Sequence, residues 1–229
     1  MEIPLCPPAV TRSAITRSAM TPSDPVGFRV IETFGWDGRR FPRLQRHMAR
    51  MATTCARFAI AFDPMTVLVR LDALPDSGPL RIRATVALDG SVAVAHAAVT
   101  TGPALWRVGV APDRLASDDP WLTVKTTERA LYDRVRANLP AGTDEMLFLN
   151  QRGEVCEGTI TSVFFDAGQG LCTPPLASGL LPGILRAELI ETGQCREAVL
   201  PAGALRYVRL WVGNALRGLI RAEWIKGGE

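Results

Sequence analysis

A two-lobed fold mixing α+β and α/β character is predicted by three observations. The first half carries two helical stripes and a hairpin signature, while the second half interleaves short apolar strands with amphipathic helices. A chain of 229 residues, 47% of them hydrophobic, is also long enough to build two compact lobes. The patterning loosens around Thr100–Pro112, which puts the connection there. A small α+β lobe over residues 1–105 and a larger lobe over residues 106–229 follow, with a site between them.

The elements run in order. Phe28–Glu32 reads as a strand and Gly35–Gly38 as a turn. Between Leu44 and Ile60, Met48, Met51, Ala52, Cys55 and Phe58 recur at helical spacing, and Met65, Val67, Leu68 and Leu71 do so between Pro64 and Leu74. Leu80–Ala87 and Ser91–Ala97 flank Leu88-Asp89-Gly90, a hairpin with Asp-Gly at its turn. Trp121–Val124 reads as a short strand leading to Lys125. The helix expected from about Glu128 to Leu139 has Thr126 and Thr127 to cap it and Leu131, Val135 and Leu139 on its buried face. Strands at Glu145–Leu149, Thr161–Phe165 and Leu171–Thr173 follow, separated by Asn150–Gly153 and Asp166–Gly170 turns. Pro174-Pro175 breaks the run, Leu181-Pro182-Gly183 opens a helix, and a strand at Val208–Val212 precedes a helical turn from Asn214.

Composition excludes several functions. A net charge of +3 is too small for a nucleic-acid surface. No run reaches the ~18 apolar residues needed to cross a bilayer. The five cysteines show no metal or redox spacing, so reduced structural thiols and no metal site are expected. Met1–Pro25 lacks the apolar stretch of a secretory signal; Arg12 and Arg17 among Ser and Thr suit a transit peptide, whereas Glu2 and the prolines oppose one. A cytoplasmic protein is the expectation.

Of the 26 Lys and Arg residues, all but Lys125 and Lys226 are arginine. Arginine does not deprotonate in proteins, so a lysine kept inside an apolar context points to amine chemistry. Desolvation and a nearby helix start would both lower the Lys125 pKa, giving an amine able to attack an aldehyde. A surface lysine paired with Glu128 satisfies the same local pattern, and Lys226 reads as a solvated tail.

Glu157, just before an apolar strand, suits a pyridinium nitrogen or a loop salt bridge. The helix opening at Leu181–Arg186 and the Gly213-Asn214 turn offer backbone donors to a phosphate, as well as serving as ordinary turns. Arg50 can reach a phosphate bidentately or lie in water. Arg81 and Arg83 alternate with Leu80 and Ile82, so they share the strand face opposite the apolar one, facing a substrate carboxylate or solvent.

Taken in order, His47-Met48-Ala49-Arg50, Lys125-Thr126-Thr127-Glu128-Arg129, Glu157-Gly158-Thr159, Gly179–Arg186 and Gly213–Leu216 resemble the class IV (fold-type IV) pyridoxal-phosphate enzymes. That family includes branched-chain and D-amino-acid aminotransferases and 4-amino-4-deoxychorismate lyase. The resemblance runs from about Phe28 to Ile220 and implies a D-amino-acid-aminotransferase-like fold with pyridoxal 5'-phosphate as cofactor. It implies that Lys125 forms the Schiff base, Glu157 holds the pyridine nitrogen, and Arg50, the Ile184 and Leu185 amides and Asn214 hold the phosphate. A small amino-acid-like substrate and a homodimer are implied as well, with neither nucleic acid nor membrane.

Lys125-Thr-Thr-x-Arg followed by Tyr132, and the Asn214-Ala-Leu turn, are most similar to the lyase branch. Branched-chain transaminases carry a tyrosine five residues after the lysine, where this chain has Ala130. Thr33 matches a threonine that assists the lyase step, and Arg83 is the implied contact for a substrate carboxylate. The resemblance thus implies release of pyruvate from 4-amino-4-deoxychorismate to give p-aminobenzoate, with a branched-chain or D-amino-acid transaminase as the alternative. Ser162 stands where the family has asparagine, Leu185 where threonine is common, and an irregular segment replaces the usual N-terminal strand. These departures keep open a third possibility, a degenerate partner subunit.

Overall fold

The computed structural model describes residues 20–75 and 78–225; Cys6, Arg12, Arg17 and Lys226 fall outside them. The chain builds β1 (Arg29–Trp36), α1 (Leu44–Arg57), α2 (Pro64–Asp72), β2 (Leu80–Ala87) and β3 (Val92–Ala98), the strands forming an antiparallel sheet in the order β1-β2-β3. The helical stripes bury Met48, Met51, Cys55, Val67 and Leu71 against Phe34, Ile82, Ala84 and Val86. Pro64 starts α2 where its missing N–H costs nothing, and the Asp63 side chain accepts from the Met65 amide at 2.9 Å. The Asp89-Gly90 turn closes as expected, Gly90 at φ +83° and Asp89 accepting from the Ser91 amide at 2.8 Å. The Gly35–Trp36 pair continues β1 instead of turning; the turn comes at Asp37, which accepts from the Arg39 and Arg40 amides, each at 2.9 Å.

The remainder forms β4 (Leu105–Leu115), α3 (Ala130–Ala137), β5 (Glu145–Asn150), β6 (Val155–Gly158), β7 (Ser162–Asp166), β8 (Cys172–Thr173), α4 (Ile184–Glu191), β9 (Arg196–Glu197), β10 (Arg209–Asn214) and β11 (Gly218–Trp224). The strands run β10-β11-β4-β5-β6-β7-β8-β9, and β10 also pairs with β7, which closes the sheet on itself. Val108, Leu147, Leu149, Val163 and Val212 fill the interior, and α4 packs Leu185 and Leu189 against Phe164.

Several expectations are corrected. The loose stretch around Thr100–Pro112 contains most of β4, which runs parallel to β5 and β11. Trp121–Val124 is not a strand: Asp119 accepts from the Trp121 amide at 2.9 Å and Pro120 fixes its φ, so Pro120–Thr123 winds into a 3₁₀ turn. The following helix begins at Ala130 with no side-chain cap, because Thr127 accepts from the Arg29 amide at 2.9 Å and Thr126 from the Glu128 amide at 3.2 Å. Asn214 ends β10 and turns the chain into β11, where a helical turn was expected.

The two sheets meet along the stretch carrying Lys125. The Ile31 amide donates to the Lys125 carbonyl at 2.8 Å, and the Thr127 amide to the Arg29 carbonyl at 2.9 Å. Residues of β1 and β2 with odd numbers face this junction, because Thr33 is the register partner of Arg83 and Gly35 of Arg81. Their even-numbered neighbours face α1.

Candidate active site

A cavity of about 330 Å³ opens at the junction. Thr33, Arg50, Arg83, Lys125, Glu157, Ile184, Leu185 and Asn214 all line it.

Lys125 makes no side-chain hydrogen bond or ion pair among the described residues. Burial, then the nearby Arg50 and Arg129 cations, bring its pKa down to about 8. The sequence assigned part of this shift to a helix start. With α3 beginning only at Ala130, the two arginines act instead.

Glu157 is 7% exposed on β6. Burial pushes its carboxyl up to about 7, against a hydrogen bond from Tyr132, the Leu181 amide, and the Lys125 and Arg129 charges. The Tyr132 hydroxyl donates to Glu157 Oε1 at 2.7 Å.

Arg50 is fixed from two directions. Its Nε and Nη2 donate to the two Glu32 oxygens at 2.7 and 2.8 Å, and Nη1 donates to the Pro182 carbonyl at 2.9 Å. Glu32 faces α1 and also meets His47 Nδ1 at 2.6 Å. Burial works against its charge, but Arg50 and His47 outweigh burial and hold the carboxyl at about 2. His47 Nε2 is the buried side-chain polar atom left without a partner among the described residues, and His47 lines the cavity.

The first intrahelical bond of α4 runs from the Ala187 amide to the Gly183 carbonyl at 2.9 Å. The Ile184, Leu185 and Arg186 amides ahead of it take no partner among the described residues, and Gly183 supplies no side-chain cap. Leu185 packs its side chain into the core beside Phe164, which accounts for an apolar residue in place of threonine. Asn214 is largely committed: its Oδ1 accepts from the Leu216 and Arg217 amides at 3.1 and 3.0 Å, and its Nδ2 donates to the Ile160 carbonyl at 3.2 Å.

Glu145 was read only as the start of a strand. It is fully buried and collects the Thr159 and Ile160 amides at 3.0 and 3.2 Å and the Thr161 hydroxyl at 3.0 Å, so it shapes the turn after Glu157. Glu32 and Tyr132 likewise received no role from the sequence. The signal for both glutamates was a carboxylate inside an apolar strand, which requires partners when buried. Tyr132 was read only as part of the lyase-like segment after Lys125, without a partner.

The class IV amino-transferase family model matches residues 29–225. The chain belongs to the class IV aminotransferases, a family of pyridoxal-phosphate-dependent enzymes. A Mesorhizobium loti structure provisionally named as an amino-acid aminotransferase is 40% identical, with a TM-score of 0.82 over 86% of this chain and 100% of its own. A Schizosaccharomyces pombe protein provisionally named as an aminodeoxychorismate lyase is 28% identical over 73% of this chain and 75% of its own length. A Legionella pneumophila structure provisionally named as 4-amino-4-deoxychorismate lyase shares the fold with a TM-score of 0.76 at 20% identity, covering 90% of this chain and 88% of its own.

Proposed function

We propose that the chain binds pyridoxal 5'-phosphate in this cavity and releases pyruvate from 4-amino-4-deoxychorismate, giving p-aminobenzoate for folate-precursor synthesis. The groups present fit that cofactor. Unpaired amides at the start of α4 and the doubly anchored Arg50 suit a phosphate. The unpartnered His47 Nε2 adds a polar group to the same wall. Glu157 suits the ring nitrogen, and Lys125 is an amine whose lowered pKa favours the neutral nucleophile. Asn214 braces the turn beside them. When bound, the cofactor supplies an electron sink for the substrate carbon bearing the amine.

The chain's own groups then divide the work. Lys125 carries the cofactor and takes the proton from that carbon. Thr33, which lines the same cavity, assists departure of the enolpyruvyl group. Arg83 receives a substrate carboxylate.

One observation carries the lyase reading: Arg81, Arg83 and Arg217 line the cavity and form no ion pair among the described residues, Asp133, which acts on Arg83 through space, being paired with Arg129. A branched-chain amino acid brings one carboxylate, whereas the lyase substrate brings two. Cations outside ion pairs in a cleft favour the more anionic ligand. An aminotransferase is the second reading, motivated by the name of the 40% identical Mesorhizobium loti structure. The proposal includes a homodimer, which the family resemblance implies, and the cytoplasmic location expected from the sequence.

The test supplies 4-amino-4-deoxychorismate to the pyridoxal-phosphate-loaded protein. Pyruvate and p-aminobenzoate should form in equal amounts, and Arg83→Ala should raise KM by about tenfold, the size of one charged contact. Keto-acid exchange on branched-chain or D-amino acids without these products would replace the lyase by the aminotransferase.

A further inference from the structure

We propose that Tyr132 is a positioning residue for Glu157, its hydroxyl holding the carboxylate so that the proton shared with the cofactor ring stays on the ring nitrogen. This rests on the cofactor reading above and adds a residue to which that reading gives no role.

The geometry is specific. Tyr132 lies in the first turn of α3 and sends its hydroxyl to Glu157 Oε1 at 2.7 Å. Its ring is held on one side by Phe148, with centroids 4.7 Å apart, and the Arg129 guanidinium carbon lies 5.4 Å from the ring centroid. The hydroxyl therefore has little freedom to turn away. Burial, reinforced by the Glu157 charge, keeps the phenol protonated well above its ordinary range, so Tyr132 acts as a donor. The other groups facing Glu157 are the Leu181 amide, Lys125, Arg129 and its neighbour Cys156. The Cys156 thiol is pushed up to about 12, first by burial and then by Glu157 and Glu154, and stays neutral.

A carboxylate and a pyridine nitrogen in contact share one proton, and their relative basicity decides which keeps it. Burial makes Glu157 more basic, and so draws the proton toward the carboxylate. A hydrogen bond donated to the carboxylate opposes that, and the Tyr132 bond heads the opposing effects. Without it the proton moves toward Glu157, the ring nitrogen becomes neutral, and the ring is a poorer electron sink. Ala130 leaves the position five residues after Lys125 without a hydroxyl, so the tyrosine of this segment serves the glutamate from two residues further along.

Tyr132→Phe keeps the ring packing and removes only the hydroxyl. The protein is loaded with pyridoxal phosphate carrying a ¹⁵N label in the ring, and the nitrogen chemical shift and the cofactor Kd are measured. The variant should move the ¹⁵N signal from the pyridinium position toward neutral pyridine and raise Kd by about tenfold, the size of one charge-assisted hydrogen bond. In a Glu157→Gln background the same substitution should change neither quantity. An unmoved ¹⁵N signal in Tyr132→Phe, or an equal change in the Glu157→Gln background, overturns the proposal. Failure of the wild-type protein to take up the cofactor would instead remove the cofactor reading itself.

Discussion

Lys125 and Glu157 are displaced from ordinary protonation in opposite directions, and folding bears the cost of both. Burial, with Arg50 and Arg129, lowers the Lys125 amine to about 8 from 10.5, so the cost is full below about 8 and disappears as pH rises toward 10.5. Burial raises Glu157 to about 7 from 4.5, so its cost is absent below 4.5 and full above about 7. Lys125→Met should therefore stabilise the cofactor-free protein near neutrality by roughly 1–3 kcal/mol, read as a higher urea midpoint. A lower midpoint would show that desolvation of the amine is not the controlling cost. Glu32 has the opposite sign. Despite its burial, Arg50 and His47 hold it at about 2, so its contribution is present above 4.5 and lost as pH falls toward 2. Glu32→Gln leaves the Arg50 side chain, 14% exposed, without its anion. We expect a loss on the order of 3–5 kcal/mol near neutrality and a flatter acid limb in the unfolding profile.

At the level of elements, what the sequence made legible depended on how strongly each period was written. The stripes of α1 and α2 and the Asp-Gly hairpin are local signals, and their elements formed within a few residues of expectation. Strand β4 was hidden by Pro112 and the polar residues around it. The β4–β5 register shifts between Val110 and Arg114, an irregularity that lets the strand accommodate a proline. Strand β6 was hidden because four residues including Glu157 look like loop, and β11 because alternate exposure weakened its pattern. The site followed a similar rule. Lys125 stood out by its rarity, and Glu157, Arg50 and the α4 start by their order along the chain. Glu32, Glu145 and Tyr132 act through partners 14 to 25 residues away, which no local pattern announces. The Glu145 turn makes a sharp element-scale test. A Cβ on Gly158 would sit 2.8 Å from the Glu145 carboxylate and closer still to the Thr161 hydroxyl, whereas one on Gly203 would meet nothing within 4 Å. Gly158→Ala should cost about 1–3 kcal/mol and weaken cofactor binding, with Gly203→Ala within about 0.5 kcal/mol of the parent in the same melts. Equal behaviour of the two would mean that the turn after Glu157 tolerates repacking.

The whole molecule puts its cavity on a seam, and its stability should answer to whatever fills that seam. The bonds between β1 and residues 125–127 join the sheets at one edge, and Arg43–Glu188 and Arg46–Glu191, each at 2.6 Å, tie α1 to α4 at another. Arg46–Glu191 is solvent-exposed and contributes little; Arg43–Glu188 is half-buried and contributes more. Between these edges the groups able to grip a ligand are divided: Arg50 belongs to α1, while Glu157 and the free amides belong to β6 and α4. A ligand held by both halves binds the folded chain alone and must stabilise it by mass action, by about 2.7 kcal/mol at a hundredfold excess over Kd. At roughly 2–4 °C per kcal/mol for a chain of this size, pyridoxal phosphate should raise the melting midpoint by about 5–10 °C. Pyridoxal without the phosphate should give a much smaller rise, because the α4 amides then have no anion to hold and Arg50 keeps only Glu32. Lys125→Ala should keep part of the phosphate-dependent rise while losing the visible absorbance of the lysine-linked cofactor. Equal rises with and without the phosphate would withdraw the anion role from Arg50 and α4 and leave Lys125 as the principal anchor.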